Sequence, residues 1–213
     1  MNIPVLYSFR RCPYCIRAHM ALDYSNRKVI LRTVALRNLP VEVLAVSPHA
    51  TVPTLVINEN ESMAESWDIM KWALNQNDPE NWLGANNVYQ HKAEPLVELN
   101  DVSFKQNLDK YKYAERFPEQ SMKYYRGRCE SFLEALNIML QENKFLLAER
   151  ISIADVAIFP FIRQFSMVDK TWFDESPYPV LQHWLKLMLN TLWFGQAFKK
   201  HELWQAGDEN LYL

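Results

Sequence analysis

The sequence predicts an α/β domain followed by an all-helical domain. Residues 3–8 and 29–36 are short segments rich in β-branched and apolar side chains, and a stretch with helical character at 14–25 separates them. This order is typical of a β-α-β unit, because strands and helices space their apolar residues differently. In the second half of the chain, strand alternation gives way to apolar residues at helical spacing. One predicted helical face consists of Phe132, Leu133, Leu136, Met139 and Leu140.

The α/β part continues with a predicted hairpin. A helical stretch at 40–46 precedes the apolar segments 54–57 and 62–64, which flank the turn-forming sequence NENE. Strand-like segments around such a turn indicate two antiparallel strands. A predicted helix from Ser66 to about residue 74 closes the unit.

A change of composition marks the predicted domain boundary. Residues 75–87 are rich in Asn, Asp and Pro and lack a sustained period. We therefore expect a first domain at 1–76, a linker at 77–86 and a helical domain at 87–208. The last residues, ENLYL, partly resemble a protease-site linker of expression vectors, and we expect them to lie outside the fold.

One helix start in the second half is unusually clear. Ser152 is a good cap, and Asp155 three residues later can bond back to the free backbone N–H of the cap. The apolar continuation VAIFPFI indicates a buried central helix. Pro160 is expected to kink or interrupt that helix, because proline removes one backbone donor.

Composition and charge exclude several classes of protein. The 213 residues carry a net charge of -2, with 23 basic and 25 acidic residues mixed along the chain. The basic surface that attracts nucleic acid or an anionic membrane is therefore not expected. Apolar runs are far shorter than the roughly 20 residues needed to cross a bilayer, and the first residues lack the pattern of a signal peptide. We expect a cytoplasmic protein with neither kind of partner.

The first cysteine motif carries the candidate nucleophile. Cys12-Pro13-Tyr14-Cys15 follows the first predicted strand, and proline is favoured at the first position of a helix, which places Cys12 at the cap. There the Cys12 thiolate can accept hydrogen bonds from the N–H groups of Tyr14 and Cys15 at the positive end of the helix dipole. This arrangement predicts a Cys12 pKa below the ordinary value of about 8.5.

The other two cysteines have different expected roles. Cys15 lies three residues after Cys12, so its sulfur can reach Cys12 as a resolving thiol. The alternative is a small buried residue that faces the sheet. A zinc site is disfavoured, because the chain has one C-x-x-C and its five histidines show no ligand spacing, and we predict no metal. Cys129 is expected to be buried and inert.

Two further segments carry candidate ligand groups. Pro53 is either an ordinary edge proline or a cis proline that exposes the backbone N–H and C=O of Val52 to an extended ligand. Ser66 is a good helix cap whose hydroxyl, with the free N–H groups, can bind a carboxylate, while Glu65 can bind an ammonium group. A simple capping serine beside a solvated glutamate is the alternative.

Together these motifs resemble the glutathione transferase superfamily over essentially the whole chain. LYSFRRCPYC is similar to the active-site segment of Omega-like, cysteine-type members, and CPYC is similar to the tetrad of dithiol glutaredoxins. SPHATVPTL, AESWDIMKW and SIADVAIFPF resemble the segments that carry the cis proline, the Glu-Ser pair and the capping box. The resemblance implies a thioredoxin-like N-terminal domain, an all-helical C-terminal domain and a homodimer.

The resemblance also implies roles for individual residues, with glutathione as the co-substrate. Cys12 corresponds to the thiol that forms a mixed disulfide with glutathione. Val52, next to Pro53, corresponds to the residue that pairs with the cysteinyl part of glutathione. Glu65 and Ser66 correspond to the pair that binds the γ-glutamyl group.

The chain departs from the family pattern at two places. His49-Ala50 stands where Lys-Gly is common, and a lysine that contacts glutathione in Omega-like members is replaced around Ala45 or Val46. Tyr7 and Ser8 lie near the position of the activating hydroxyl of conjugating members. We expect neither to be catalytic, because a Cys12 thiolate is the stronger nucleophile at neutral pH.

The sequence thus predicts a glutathione-dependent thiol transferase or thiol-disulfide oxidoreductase that acts on a small disulfide or electrophilic substrate. One rival is a conventional transferase that conjugates glutathione to electrophiles without a covalent enzyme intermediate. Another is a non-catalytic binding protein, because a fold does not determine a function.

Overall fold

The structure, a computed structural model, describes residues 3–47 and 49–213. Pro48, within the segment SPHATVPTL, and the first two residues of the predicted first domain lie outside the described residues. The chain divides into two compact units, Met1–Glu80 with Thr191–Leu213, and Asn81–Asn190. The final segment therefore groups with the α/β unit, whereas the boundaries at 77–86 and 208 stay predictions.

The first unit is a mixed five-stranded sheet with helices. Its strands are β1 (Val5–Ser8), β2 (Ile30–Thr33), β3 (Thr54–Asn58), β4 (Glu61–Met63) and β5 (Leu211–Tyr212). Its helices are α1 (Pro13–Tyr24), α2 (Val41–Val46), α3 (Ser66–Gln76) and α10 (Leu192–Ala197). The strand order is β4-β3-β1-β2-β5, with β1 parallel to β2 and the other neighbours antiparallel.

Helix α1 lies at the centre of this unit. Helices α3 and α10 both pack on it, and each of its residues from Cys15 to Leu22 is buried. This explains why α1 is apolar on nearly all sides, and within this buried stretch only Arg17 and His19 are polar. A polar side chain in such a helix requires a partner or a neutral state.

The expectation that the ENLYL residues lie outside the fold is wrong. Leu211 pairs with Leu31 and Tyr212 with Ile30, and the Leu213 N–H donates to the Val29 carbonyl at 2.9 Å. Without β5, strand β2 would present a row of unpaired backbone groups at the edge of the sheet. The short apolar segment satisfies these groups and extends the sheet.

The second unit is helical in all its described regular elements. They are α4 (Val88–Leu99), α5 (Lys105–Lys112), α6 (Met122–Glu142), α7 (Ile153–Ser166), α8 (Lys170–Glu175) and α9 (Pro179–Leu189), with short 3-10 turns and a π-helical turn at Asn100–Phe104. The predicted apolar face of α6 is confirmed, because four of its five residues are buried and Met139 is half-buried. None of the described helices is long and apolar enough to cross a membrane.

Helix α7 begins where the sequence predicts. The Ser152 N–H donates to the Asp155 carboxylate at 2.9 Å, which satisfies one of the free donors of the first turn. The helix then runs through Pro160 to Ser166, so Pro160 does not interrupt it, and the alternative of a kink stays a prediction. Both predicted parts, the thioredoxin-like α/β domain and the helical domain, are confirmed.

Candidate active site

Cys12 lies at the cap of α1, as the motif predicts. Its backbone is extended (φ -74, ψ 122), and Pro13 occupies the first helical turn. The Cys12 N–H donates to the Phe9 carbonyl at 3.0 Å, and the Cys12 carbonyl accepts from Ile16 at 3.0 Å. A tight loop after β1 and the first hydrogen bond of the helix thus fix the residue from both sides. Its side chain remains partly exposed.

The Cys12 sulfur makes contacts other than those predicted. Among the described residues, no side-chain capping bond forms at Cys12, so the expected bonds from Tyr14 and Cys15 N–H groups are absent. Instead, Sγ lies 3.8 Å from the carbonyl oxygen of Val52 and takes part in a side-chain hydrogen bond with Cys15. Cys12 itself still lies at the positive end of α1, because the cap position is confirmed.

Cys15 is the buried member of the pair. It is 1% exposed, and its Sγ accepts a hydrogen bond from the Phe9 N–H at 3.3 Å. Burial raises the pKa of Cys15 well above its ordinary value, and the hydrogen bond with Cys12 and the Cys12 charge raise it further. Bonds from Phe9 and Ser8 oppose this shift without cancelling it. Cys15 therefore holds its proton at neutral pH, and its S–H can donate to the Cys12 sulfur.

The Val52–Pro53 peptide bond is cis. Of the two alternatives for Pro53, the cis form is the one observed, and β3 directly after it is an interior strand between β1 and β4. Val52 packs in an apolar cluster with Tyr7 and Cys15, and Cys12 contacts the same cluster. The thiol and the Val52 backbone are therefore neighbours.

Glu65 and Ser66 lie at the start of α3. Glu65 is the cap (φ -89, ψ 120), and Ser66 is the first helical residue, whereas the sequence predicts Ser66 as the cap. Glu65 is exposed and Ser66 is 2% exposed. The Ser66 hydroxyl accepts a hydrogen bond from Arg17 Nε at 3.0 Å.

Arg17 is the residue that sequence reasoning missed. It is 1% exposed, five residues after Cys12 in α1, and its guanidinium carbon lies 5.1 Å from the centre of the Tyr14 ring. The available signal was a charged residue inside the apolar run that follows CPYC. That signal is meaningful only once α1 is known to be buried on nearly all sides.

The remaining candidates lie as follows. Tyr7 is buried, and its hydroxyl accepts a hydrogen bond from Arg32 at 2.6 Å. Cys129 is 0% exposed, which confirms its predicted burial, and burial raises its pKa to about 12. His49 and Ala50 are exposed, and Ala50 has a left-handed backbone with φ 50.

The chain thus combines an α/β unit, whose helix α1 has a cysteine at its cap, with a helical unit. Residues 6–82 match the glutathione S-transferase N-terminal domain, and residues 97–187 match the glutathione S-transferase C-terminal domain. These two matches cover most of the chain. The chain therefore belongs to the glutathione transferase superfamily, and the predicted enzyme class is confirmed at that level.

Solved structures share the whole fold at low sequence identity. Glutathione transferase Omega 3C from Trametes versicolor is 15% identical, with a TM-score of 0.78 over 95% of this chain and 92% of that one. A glutathione transferase family member from Pseudomonas fluorescens Pf-5, solved with two glutathione molecules bound, is 16% identical, with a TM-score of 0.78 over 92% of each chain. Glutathione transferase F2 from Populus trichocarpa is 16% identical, with a TM-score of 0.76 over 91% of this chain and 96% of that one.

Proposed function

We propose that the protein is a glutathione-dependent thiol transferase whose nucleophile is Cys12. The observation that carries the proposal is the asymmetry of the two motif cysteines. Cys12 is partly exposed at the start of α1, whereas Cys15 is buried and holds its proton. A nucleophilic thiol needs access and a deprotonated sulfur, and only Cys12 of the pair has the access.

The proposed reaction has two exchange steps. The Cys12 thiolate attacks the glutathione sulfur of a mixed disulfide, which forms a disulfide between Cys12 and glutathione and releases the substrate as a thiolate. A second glutathione thiolate then attacks the glutathione sulfur of this adduct. That step restores the Cys12 thiolate and releases oxidised glutathione, and the released substrate thiolate takes up a proton, so that one free glutathione is consumed for each substrate thiol formed.

Cys15 is proposed to support Cys12 rather than to resolve the adduct. Its raised pKa leaves little thiolate at neutral pH, and its sulfur is shielded from solvent. A protonated Cys15 can instead donate a hydrogen bond to the Cys12 thiolate, which stabilises the charged form. We therefore propose that a second glutathione, rather than Cys15, attacks the Cys12 adduct.

Glutathione is proposed to bind along the segment between Cys12 and α3. The Val52 backbone, beside the Cys12 sulfur, suits the peptide-like cysteinyl part. The exposed Glu65 carboxylate suits the ammonium group, and Ser66 at the start of α3 suits the carboxylate of the γ-glutamyl group. A homodimer, which the resemblance implies, and a cytoplasmic location, which the sequence pattern indicates, stay predictions.

Intact mass measurement tests the proposal directly. After exposure to oxidised glutathione, the wild-type protein is expected to gain one glutathione on Cys12. The Cys12→Ser variant is expected to lose both this adduct and reduction of mixed disulfides. Cys129→Ser is the matched control, because Cys129 is buried in the helical unit and should leave both properties unchanged.

The Cys15→Ser variant separates the two routes of resolution. If glutathione resolves the adduct, this variant should keep most of its mixed-disulfide reduction, because a serine hydroxyl can also donate to Cys12. Conjugation of a chloronitrobenzene without any Cys12 adduct would instead favour the conventional transferase. If the protein forms no adduct, conjugates no electrophile and binds no glutathione, the results favour the non-catalytic binding protein.

A further inference from the structure

Arg17 is a buried charge with a defined partner at the start of α3. It is 1% exposed in α1, and its Nε donates to Ser66 Oγ at 3.0 Å. Removing a guanidinium from water is costly unless the group is well bonded. Its place next to α3 therefore calls for an explanation beyond general packing.

The hydrogen bond from Arg17 determines whether the Ser66 hydroxyl acts as donor or acceptor toward each of its partners. Arginine has donors only, so the Ser66 oxygen must act as the acceptor in this pair. The hydroxyl proton of Ser66 is then directed to another acceptor. Ser66 is thus prepared to donate, at a helix start where the dipole and the nearby guanidinium both favour a negative group.

Helix α1 connects Arg17 rigidly to Cys12. Arg17 follows Cys12 by five residues in α1, a rise of about 7.5 Å along a helix. Its guanidinium carbon also lies 5.1 Å from the centre of the Tyr14 ring, within the C-P-Y-C tetrad. The distance between the nucleophile and the Ser66 hydroxyl is therefore set by one helix and one hydrogen bond.

We propose that Arg17 is a positioning residue that orients the Ser66 hydroxyl and so selects thiols that carry a γ-glutamyl carboxylate. The inference rests on the proposed function, because Ser66 is assigned there to that carboxylate. Arg17 acts through Ser66 and does not itself touch the reacting sulfur. Thiols without a γ-glutamyl group gain no binding affinity from this arrangement.

Binding of unreactive ligands tests the inference without thiol chemistry. S-methylglutathione carries the γ-glutamyl group, and S-methylcysteinylglycine lacks it. Arg17→Lys keeps the charge but removes the Nε donor, and we expect calorimetry to show about tenfold weaker binding of S-methylglutathione. Binding of S-methylcysteinylglycine should change less than about twofold, because it makes no contact that depends on Ser66.

A double-mutant cycle shows whether Arg17 acts through Ser66. Ser66→Ala alone should weaken S-methylglutathione binding by a similar factor, and adding Arg17→Lys should then cost less than about twofold more. Arg27→Lys is the matched control, because Arg27 also lies against an aromatic ring, that of Trp72. It should leave the preference between the two ligands unchanged.

Several results would overturn the inference. One is an Arg17→Lys variant that keeps the wild-type preference or weakens both ligands equally. Ser66→Ala serves if Arg17→Lys fails to fold, and an unchanged preference in this small substitution is equally decisive against it. A wild-type protein that does not prefer S-methylglutathione also contradicts it.

The experiments distinguish a failure of the proposed function from a failure of the inference about Arg17. If the wild-type protein prefers S-methylglutathione and the cycle behaves as expected, but Cys12 gains no adduct, the role of Arg17 stands and the thiol mechanism is wrong. If the adduct forms but the preference does not depend on Arg17, the thiol mechanism stands and the inference is wrong.

Discussion

The guanidinium carbon of Arg32 lies 4.1 Å from the centre of the Trp204 ring. Arg32 belongs to β2, whereas Trp204 lies in the final segment of the chain. The same indole meets the Tyr7 ring edge-on at a centroid distance of 6.1 Å, and the backbone N–H of Trp204 donates to the Thr33 carbonyl at 2.8 Å. The final segment is therefore fastened to the sheet beside the strand that leads to Cys12.

Replacement of Trp204 by alanine should destabilise the α/β unit. The change removes a half-buried ring and its contact with a cation, which together contribute about 2 kcal/mol to the free energy of unfolding. Urea unfolding measures the loss. Leu203→Ala is the control, because Leu203 is 54% exposed and its truncation should cost no more than about 0.5 kcal/mol. Equal losses would show that Trp204 is not a specific anchor.

Local features of this fold could be predicted from the sequence. Pro13 places Cys12 at a helix cap, and Ser152 with Asp155 marks the start of α7, because each signal lies within one helical turn. The structure has both features at the predicted residues. The physics of a helix end involves only the neighbouring few residues, and the sequence displays those directly.

Contacts between distant parts of the chain could not be predicted in this way. Arg17 and Ser66 are 49 residues apart, and Arg32 and Trp204 are separated by most of the chain. Neither pair leaves a periodic pattern in the sequence. The roles of Ser66 as an acceptor and of ENLYL as an edge strand both depend on such contacts, which is why both expectations needed correction.

Ala50→Gly should stabilise the protein. Ala50 has φ 50, a left-handed conformation that costs an L-residue with a Cβ about 1 to 2 kcal/mol. Glycine relieves this cost but adds backbone freedom to the unfolded chain, which leaves a net gain of about 0.5 to 1 kcal/mol. Chemical denaturation measures the gain.

Ala45→Gly is the matched control for this substitution. Ala45 lies in α2, so the same exchange should lower the free energy of unfolding by about 0.5 to 1 kcal/mol. Opposite signs at the two alanines support the conformational explanation. A loss of stability at both positions contradicts it.

His19 should make the protein less stable in acid. Burial, together with a smaller contribution from the nearby His201, lowers the pKa of His19 to about 4. The unfolded chain takes up a proton near pH 6.5 whereas the folded chain does not, so stability is full above that pH and is lost as the pH falls. Between pH 7 and 4.5 this single group should remove about 2 kcal/mol.

The His19→Leu variant isolates that contribution. Its free energy of unfolding should fall less steeply than that of the wild-type protein over the same pH range, by about 2 kcal/mol. His91→Gln is the control, because His91 is exposed and its replacement should leave the slope unchanged. Parallel pH curves for the wild-type protein and His19→Leu would rule out His19 as the acid-sensitive group.

Asp155 should be the most sensitive polar position in the helical unit. Asp155 is 0% exposed, and its carboxylate accepts four hydrogen bonds. Two come from the Leu146 N–H at 2.9 Å and from Trp184 Nε1 at 2.8 Å. The other two come from the N–H and the hydroxyl of Ser152, at 2.9 and 2.7 Å. Asp155→Ala leaves these buried donors without an acceptor, which should cost about 3 kcal/mol or more.

Asp174→Ala separates this effect from the loss of a charge. Asp174 is an exposed carboxylate that pairs with Lys170 one helical turn away, and such a pair contributes about 0.5 kcal/mol or less. Urea unfolding of both variants should therefore give losses that differ severalfold. Similar losses would mean that the four donors around Asp155 find other acceptors, and that the start of α7 is held by its apolar packing instead.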